Sequence, residues 1–402
     1  MPEELNFWQK IEEISRRTFS IYNYQEIRAP IIEEAGLFNR SLGEFTEIVQ
    51  KQMFLIQNKE DLYALRPEGT AGVVRAYIEN SLDKKMGFSK FYYIGPMFRL
   101  ERPQKGRLRQ FHHIGSEVIG SCEPCVDVEL ISLADNLLKS FSISDYKILV
   151  NSLGCVNDKL ELIKMLQEAL KDKLEMLCED CNVRFKNNIL RILDCKNESC
   201  QKVIHTLNLH EKYLCSECRA HFASVKHGLN ALKIDYEVSQ YLVRGLDYYT
   251  RTVFEIKHDK LGAQDAIGAG GRYDNLVKQL GGPDVGAMGF AFGIERLLLL
   301  HRLESGALGP GLVYLISLGD EAKKFGMQLL DKLRKAGIGS DTDYENKTLK
   351  GAMRQANDRG ARFVVIIGDN ELKKNIVILK DMASGEQKEI KQEELISGLS
   401  IG

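Results

Sequence analysis

The densest concentration of chemistry in the sequence runs from Gly95 to Glu117, GPMFRLERPQKGRLRQFHHIGSE. Arg99, Arg102, Lys105, Arg107 and Arg109 crowd five cations into this stretch, and only Glu101 opposes them before the second strand begins. The flanking runs at 90–100 and 110–120 are strand-like and predict antiparallel neighbours joined by a basic loop. Planar guanidinium groups on such a loop make a good seat for phosphates. Arg99 and Glu101 lie two apart, so on a strand they share one face. Phe111 resumes on the partner strand and offers a flat ring for stacking. A cation, a carboxylate and an aromatic on one face match the phosphate, amino group and base of a nucleotide. A solvated hairpin has the same composition; the shared face favours the nucleotide.

Three other stretches carry candidate groups. In GFAFGIERLLLL, Gly289 and Gly293 leave room for a ligand beside a strand. Arg296 falls in the first turn of the helix that follows, where phosphate is favoured. In RPEGTAG, Glu68 and Thr70 open a predicted helix, and capping would account for both. In LVRGLDYYTRTVFE (242–255) the residue types predict a strand. Arg244, Tyr248 and Tyr249 are packed unusually close in it, although a half-buried edge strand would also carry polar residues. GAGGRYDNL (268–276) reads as a glycine-rich turn. Tyr273 stands where a dinucleotide fingerprint needs its last glycine.

The elements that would position these groups fall into three blocks. Residues 4–20 predict a helix, 53–65 two strands about a turn, and 127–141 and 157–177 further helices. Residues 178–233 change texture: six of the nine cysteines lie between Cys178 and Cys218, and the segment reads as an insertion. Strands resume at 236–257, and 287–293 predicts a strand that leads into a helix. After the linker GALGPG (306–311), strand and helix alternate and predict a small α/β domain with a mostly parallel sheet. The expected architecture is α+β: an antiparallel-sheet domain over 1–310, with a helical, Cys-bearing insertion at about 157–233, and an α/β domain over 311–402.

The 402 residues are too many for one core. A net charge of −1 means that any nucleic-acid site must be local. No apolar run approaches the ~20 residues of a bilayer span, and no secretory signal opens the chain. An odd cysteine count without such a signal fits free thiols in a reducing cytoplasm.

Together the motifs resemble those of the class II aminoacyl-tRNA synthetases. FRLE with Phe111 is similar to motif 2, GFAFGIER to motif 3, and IRAPIIE about Pro30 to motif 1, which lies at the dimer interface in that class. LVRGLDYY and AGGRYD resemble the two signatures of the histidyl-tRNA synthetase family. The resemblance implies a homodimer that activates histidine with ATP and Mg²⁺ and transfers it to the 3′ end of tRNA(His). It implies that Arg99 binds the α-phosphate and the substrate carboxylate and that Arg244 acts on the α-phosphate from the other side. Glu101 would read adenine, Phe111 would stack on it, and Arg296 would hold the γ-phosphate. Glu68, Thr70 and His113 would meet the histidine amino group. Tyr248, Tyr249 and Glu117 would enclose the imidazole, with no editing domain needed. Arg102, Gln104, Lys105 and Arg107 would contact the tRNA acceptor end, and 311–402 would bind the anticodon.

The sequence departs from the family pattern at three points. His113 stands where the family usually has Gln, and a protonated His113 would repel the substrate ammonium. Histidine affinity is therefore expected to fall below about pH 6.5. An upstream strand with Arg-Gly-x-x-Asp, usual in the family, does not precede MPEEL, and dimer stability or activity is expected to suffer. The spacings Cys178-x-x-Cys181, Cys195-x₄-Cys200 and Cys215-x-x-Cys218 suit a structural zinc, with Cys178, Cys181, Cys215 and Cys218 as the candidate ligands; free buried thiols are the alternative. The competing function is a histidine-binding regulatory paralogue of ATP phosphoribosyltransferase, which tends to lose the ATP arginines and the C-terminal domain.

Overall fold

The computed structural model describes residues 2–43, 46–262, 265–301, 312–344 and 347–399. It divides into two compact units, Met1–Ser305 and Gly306–Gly402. The first is built on an eight-stranded sheet. Its strands lie in the order Gln25–Glu26, Ser89–Phe98, Gln110–Ile119, Ala287–Gly293, Ala266–Arg272, Thr250–His258, Tyr146–Ser152 and Glu237–Val238. The five pairings among the six inner strands are antiparallel; only the two short edge strands pair in parallel.

Register explains why one face of this sheet is open to a ligand. Glu117 pairs with Gly289 and Gly289 with Gly271; one step along, Gly115 pairs with Ala291 and Ala291 with Ala269. Side chains two apart share a face, so these five small residues floor the centre of the sheet. Tyr93, His113 and Glu255 stand around them on the same face by pairing with Gly115, Gly293 and Ala269. The alternate residues Ile114, Val118, Phe254, Met288, Phe290 and Phe292 are buried on the other face. They pack with Leu130, Ile131, Leu133 and Leu137 of the helix Pro124–Ser140, and with Phe222 and Val225 of Ser216–Ala231. Each large apolar side chain so buried contributes roughly 1.5–3 kcal/mol.

Two predicted elements differ from the observed ones. Residues 266–272 form a strand, not a turn: its glycines are needed because a Cβ on Gly270 would sit 2.4 Å from the Gly289 carbonyl. Residues 242–249 form an irregular loop, and the strand starts only at Thr250. No strand pairs with this loop: the Asp247 N–H goes to the Leu42 carbonyl at 3.2 Å, and several loop carbonyls accept from side chains. Asn151 donates to the Leu242 carbonyl at 3.0 Å, and Lys159 donates to the carbonyls of Asp247 and Tyr249 at 2.9 and 3.1 Å.

A small three-stranded antiparallel sheet is made by Ile32–Glu34, Asp61–Leu65 and Phe54–Asn58, with Asp61–Leu65 in the middle. The segment between Ser152 and Glu237 is helical, with elements at Val156–Leu170, Lys171–Met176, Glu179–Asn187, Ile189–Ile192, Glu198–Ile204 and Ser216–Ala231. The second unit is a five-stranded sheet with three helices of ten residues or fewer and one of sixteen, Asp320–Lys335. It is less parallel than predicted. Leu312–Ser317 pairs in parallel with Ser340–Thr342 and Ala361–Ile367, but Ile376–Asp381 and Gln387–Lys391 add two antiparallel pairings.

Candidate active site

One cavity of about 530 Å³ opens over the small-residue floor. It is lined by Glu68, Thr70, Arg99, Glu101, Phe111, His113, Arg244, Tyr248, Tyr249 and Arg296, residues separated by up to 228 positions in sequence (296 − 68). Glu68 is fully enclosed. Its Oε2 accepts the Thr70 N–H at 2.6 Å and its Oε1 the Ala71 N–H at 2.9 Å, so it caps the helix Thr70–Glu79 from two residues upstream. Burial nevertheless raises its pKa, and the two N–H bonds only partly offset this.

Arg99 donates from Nε to the Pro67 carbonyl at 2.9 Å, and its guanidinium lies 5.3 Å from the Phe111 ring centre. Glu101 is 3.8 Å from Arg99 and 3.1 Å from Arg107. Arg107 thus faces the cavity, whereas Arg102, Gln104 and Lys105 stand exposed on the loop tip. Arg296 donates to the Ala266 carbonyl at the cavity wall.

Arg244 donates from Nη1 to Glu255 Oε2 at 2.5 Å, while its buried Nε has no hydrogen-bond partner among the described residues. Burial opposes its charge, but Glu255 outweighs that and raises its pKa. Lys257, 3.4 Å from Glu255, braces the carboxylate from behind.

Glu117 is set back from the cavity surface and 1% exposed. Thr70 Oγ1 donates to it at 2.7 Å, the Tyr93 hydroxyl at 3.4 Å, and the Tyr273 hydroxyl to its other oxygen. Burial pushes its pKa up to about 8, against the pull of these hydroxyls. The neighbouring glycine is obligatory: a Cβ on Gly289 would lie 1.8 Å from Glu117 Oε2. Tyr248 and Tyr249 are buried with ring centres 4.7 Å apart, and Tyr248 meets Tyr273 edge-on at 5.5 Å.

His113 differs from the expectation of a group that titrates near neutrality. Burial, with Arg99, Arg66 and Arg296 nearby, pushes its pKa down to about 3. It is neutral across the working range, and its buried Nδ1 has no partner among the described residues.

Sequence reasoning passed over Tyr93, Glu255 and Tyr273 as site residues. Tyr93 and Glu255 were findable only from register, since both stand on the ligand face by pairing with residues far away in sequence. Tyr273 was treated as a missing glycine in a turn.

The cysteines regroup. Cys178, Cys181, Cys195 and Cys200 form one cluster, and Cys155, Asp158, Cys215 and Cys218 another. The single site expected from Cys178, Cys181, Cys215 and Cys218 is therefore divided between two places, and Cys155, Asp158, Cys195 and Cys200 join them. Spacing alone could not show that the two Cys-x-x-Cys pairs lie on different helices.

An antiparallel sheet with an arginine-lined cavity on one face and a separate α/β anticodon-type unit is the architecture of a class II aminoacyl-tRNA synthetase. The chain belongs to the histidyl-tRNA synthetase family: the model described as "Histidyl-tRNA synthetase" matches residues 1–297, and "Anticodon binding domain" matches 312–400. Histidine–tRNA ligase of Thermotoga maritima is 46% identical over 396 residues, covering 96% of this chain and 93% of that protein. That of Thermodesulfovibrio yellowstonii is 46% identical over 397 residues, covering 98% and 94%. The crystal structure of apo histidyl-tRNA synthetase from S. aureus superposes with a TM-score of 0.81 at 34% identity, covering 99% of this chain and 97% of that one. Such enzymes are aminoacyl-tRNA ligases that use ATP with Mg²⁺. No described helix is long and apolar enough to cross a membrane.

Proposed function

We propose how the named residues divide the histidine–tRNA ligase reaction between them. The histidine carboxylate attacks the α-phosphorus of ATP. A carboxylate oxygen–phosphorus bond forms, the bond to the β-phosphate bridging oxygen breaks, and pyrophosphate leaves; bound Mg²⁺ would supply neutralisation of the triphosphate charge. Arg99 and Arg244 flank the phosphorus and stabilise the charge that grows on its oxygens. The partnerless Nε of Arg244 is the observation that carries this assignment: a buried donor held in place by Glu255 needs no rearrangement to meet an oxyanion.

Phe111 stacks on adenine, Glu101 accepts from its amino group, and Arg296 takes the γ-phosphate. Glu68, Thr70 and the neutral His113 hold the substrate ammonium. Tyr248 and Tyr249 wall the imidazole; one of their phenols hydrogen-bonds one ring nitrogen, and the Glu117 carboxyl group takes the other. A pocket that pairs both ring nitrogens rejects aliphatic side chains by ~10⁴ or more.

Arg102, Gln104 and Lys105, exposed on the loop tip, contact the acceptor end of tRNA(His), with Arg107 at the junction with the nucleotide. Residues 311–402 are the anticodon-binding domain, and 1–310 the catalytic domain with its insertion at about 157–233. Exposed Ile31, Ile32, Leu55, Ile56 and Leu62 about Pro30 support a homodimer through this face. Free cysteines throughout agree with a reducing cytoplasm.

The test separates the two half-reactions by single-turnover kinetics. Arg244→Ala should slow adenylate formation, and Lys105→Ala should slow only transfer to tRNA. Equal loss of both steps in Lys105→Ala would contradict the loop assignment.

A further inference from the structure

We propose that the insertion binds two zinc ions, one held by Cys178, Cys181, Cys195 and Cys200 and the other by Cys155, Asp158, Cys215 and Cys218. In each group the four ligand atoms all lie within 4.8 Å of one another. Cys178 Sγ and Cys195 Sγ are 3.9 Å apart. Zinc–sulfur bonds of ~2.3 Å in a tetrahedron set the sulfurs about 3.8 Å apart. A disulfide needs ~2.05 Å, and all these thiols are free.

The local geometry gathers the ligands at helix N-termini. Cys155, Cys178 and Cys215 are the N-cap residues of the helices Val156–Leu170, Glu179–Asn187 and Ser216–Ala231. Asp158, Cys181 and Cys218 follow each by three residues, so each pair meets at a helix N-terminus. Cysteine is not a preferred cap, so capping does not explain its use at all three positions. Backbone N–H groups point at the sulfurs: Cys178 N to Cys200 Sγ at 3.2 Å, Asn197 N to Cys195 Sγ at 3.4 Å, and Cys218 N to Cys215 Sγ at 3.5 Å.

Asp158 supplies the only oxygen. Its Oδ1 accepts from Cys215 N at 3.0 Å and its Oδ2 from Cys155 N at 3.2 Å. Each oxygen keeps a lone pair for the metal, and the N–H bonds fix its aim, as outer-shell contacts do in metal sites. Sulfur-rich tetrahedral sets select zinc over magnesium or calcium.

The insertion also has a physical need for the metal. Its elements of nine, four and seven residues at 179–187, 189–192 and 198–204 are too short to persist alone. The Cys178 group ties 179–187 to 198–204, and the Cys155 group ties 156–170 to 216–231. Cys122 and Cys125 are exposed and belong to neither group, which makes them internal controls.

The experiment is metal analysis of the full chain, purified with reductant and without chelator, alongside thiol titration. Two zinc ions per chain are expected, with Cys122 and Cys125 the readily reactive thiols. Cys200→Ser and Cys215→Ser should each remove one zinc, and Cys122→Ser should remove none. Cobalt exchange of the unaltered chain should give the intense thiolate-to-cobalt charge-transfer band, a readout that survives if the variants do not fold. A metal-free chain whose nine thiols all react overturns the proposal. One zinc, lost in Cys200→Ser and kept in Cys215→Ser, overturns the Asp158 site.

Discussion

Arg244 and Glu255 form a half-buried ion pair at 2.5 Å, and Glu255 reaches it from a strand that begins six residues after Arg244. The carboxylate fixes one nitrogen of the guanidinium and leaves Nε free to face the cavity. Arg244→Ala is therefore expected to lower the adenylation rate by about 10²–10³ with little change in the KM for histidine. Glu255→Gln keeps the cation but loosens it, and a loss of about tenfold is expected. Pre-steady-state adenylate formation measures both. A Glu255→Gln enzyme as slow as Arg244→Ala would mean that the carboxylate does more than position.

Glu117 links the pocket to stability. Its folded pKa of about 8 lies above the ordinary carboxylate value, so the folded state holds a proton that the unfolded chain releases. Its contribution is fully present below about pH 4 and is lost as pH rises to about 8. Relative to Glu117→Gln, the parent protein should lose up to roughly 1.4 kcal/mol per pH unit across that window. Thermal unfolding from pH 5 to 8 checks this. Parallel curves for the two proteins would show that Glu117 does not hold the proton.

His113 should leave no mark on the pH dependence of histidine binding near neutrality. A group held neutral down to about pH 3 cannot repel the substrate ammonium at pH 6. His113→Gln and the parent should show the same profile of KM for histidine between about pH 5 and 7, because the other titrating groups, the substrate imidazole among them, are common to both. A steeper acid loss in the parent would restore the titrating His113 that the sequence alone suggested.

Lys159 ties the insertion to the substrate pocket. It holds two carbonyls of the loop that carries Tyr248 and Tyr249, and Asn188 donates to Asp247 Oδ1 at 3.1 Å beside them. Lys159→Ala should raise the KM for histidine about five- to thirtyfold, the cost of losing charge-assisted bonds of about 1–2 kcal/mol, and leave the KM for ATP nearly unchanged. Steady-state pyrophosphate exchange with each substrate varied in turn separates the two.

Much of this was legible from residue type and short-range spacing. The 89–98 and 110–119 hairpin, the helix after Gly293 and the alternating C-terminal unit all follow local patterns. Arg99, Glu101, Phe111 and Arg296 were identified from motifs, and they line one cavity. What depends on register or on distant partners was not legible. Glycines at 268, 270 and 271 look like a turn until the strands beside them are known to press against their Cα atoms. The run 242–249 has strand composition, yet its carbonyls go to Asn151 and Lys159, so no strand forms. The two cysteine groups interleave in sequence, with Cys155 and Asp158 in one group lying before the whole of the other, so counting pairs could not sort them.

The central claim is that this cavity activates histidine and nothing else. Its most direct test is ATP–pyrophosphate exchange on the purified chain, with each amino acid in turn and with Arg99→Ala and Arg244→Ala alongside. Exchange that depends on histidine alone and falls at least a hundredfold in both variants is the predicted result. Exchange driven equally by another amino acid, or undiminished without either arginine, would contradict it.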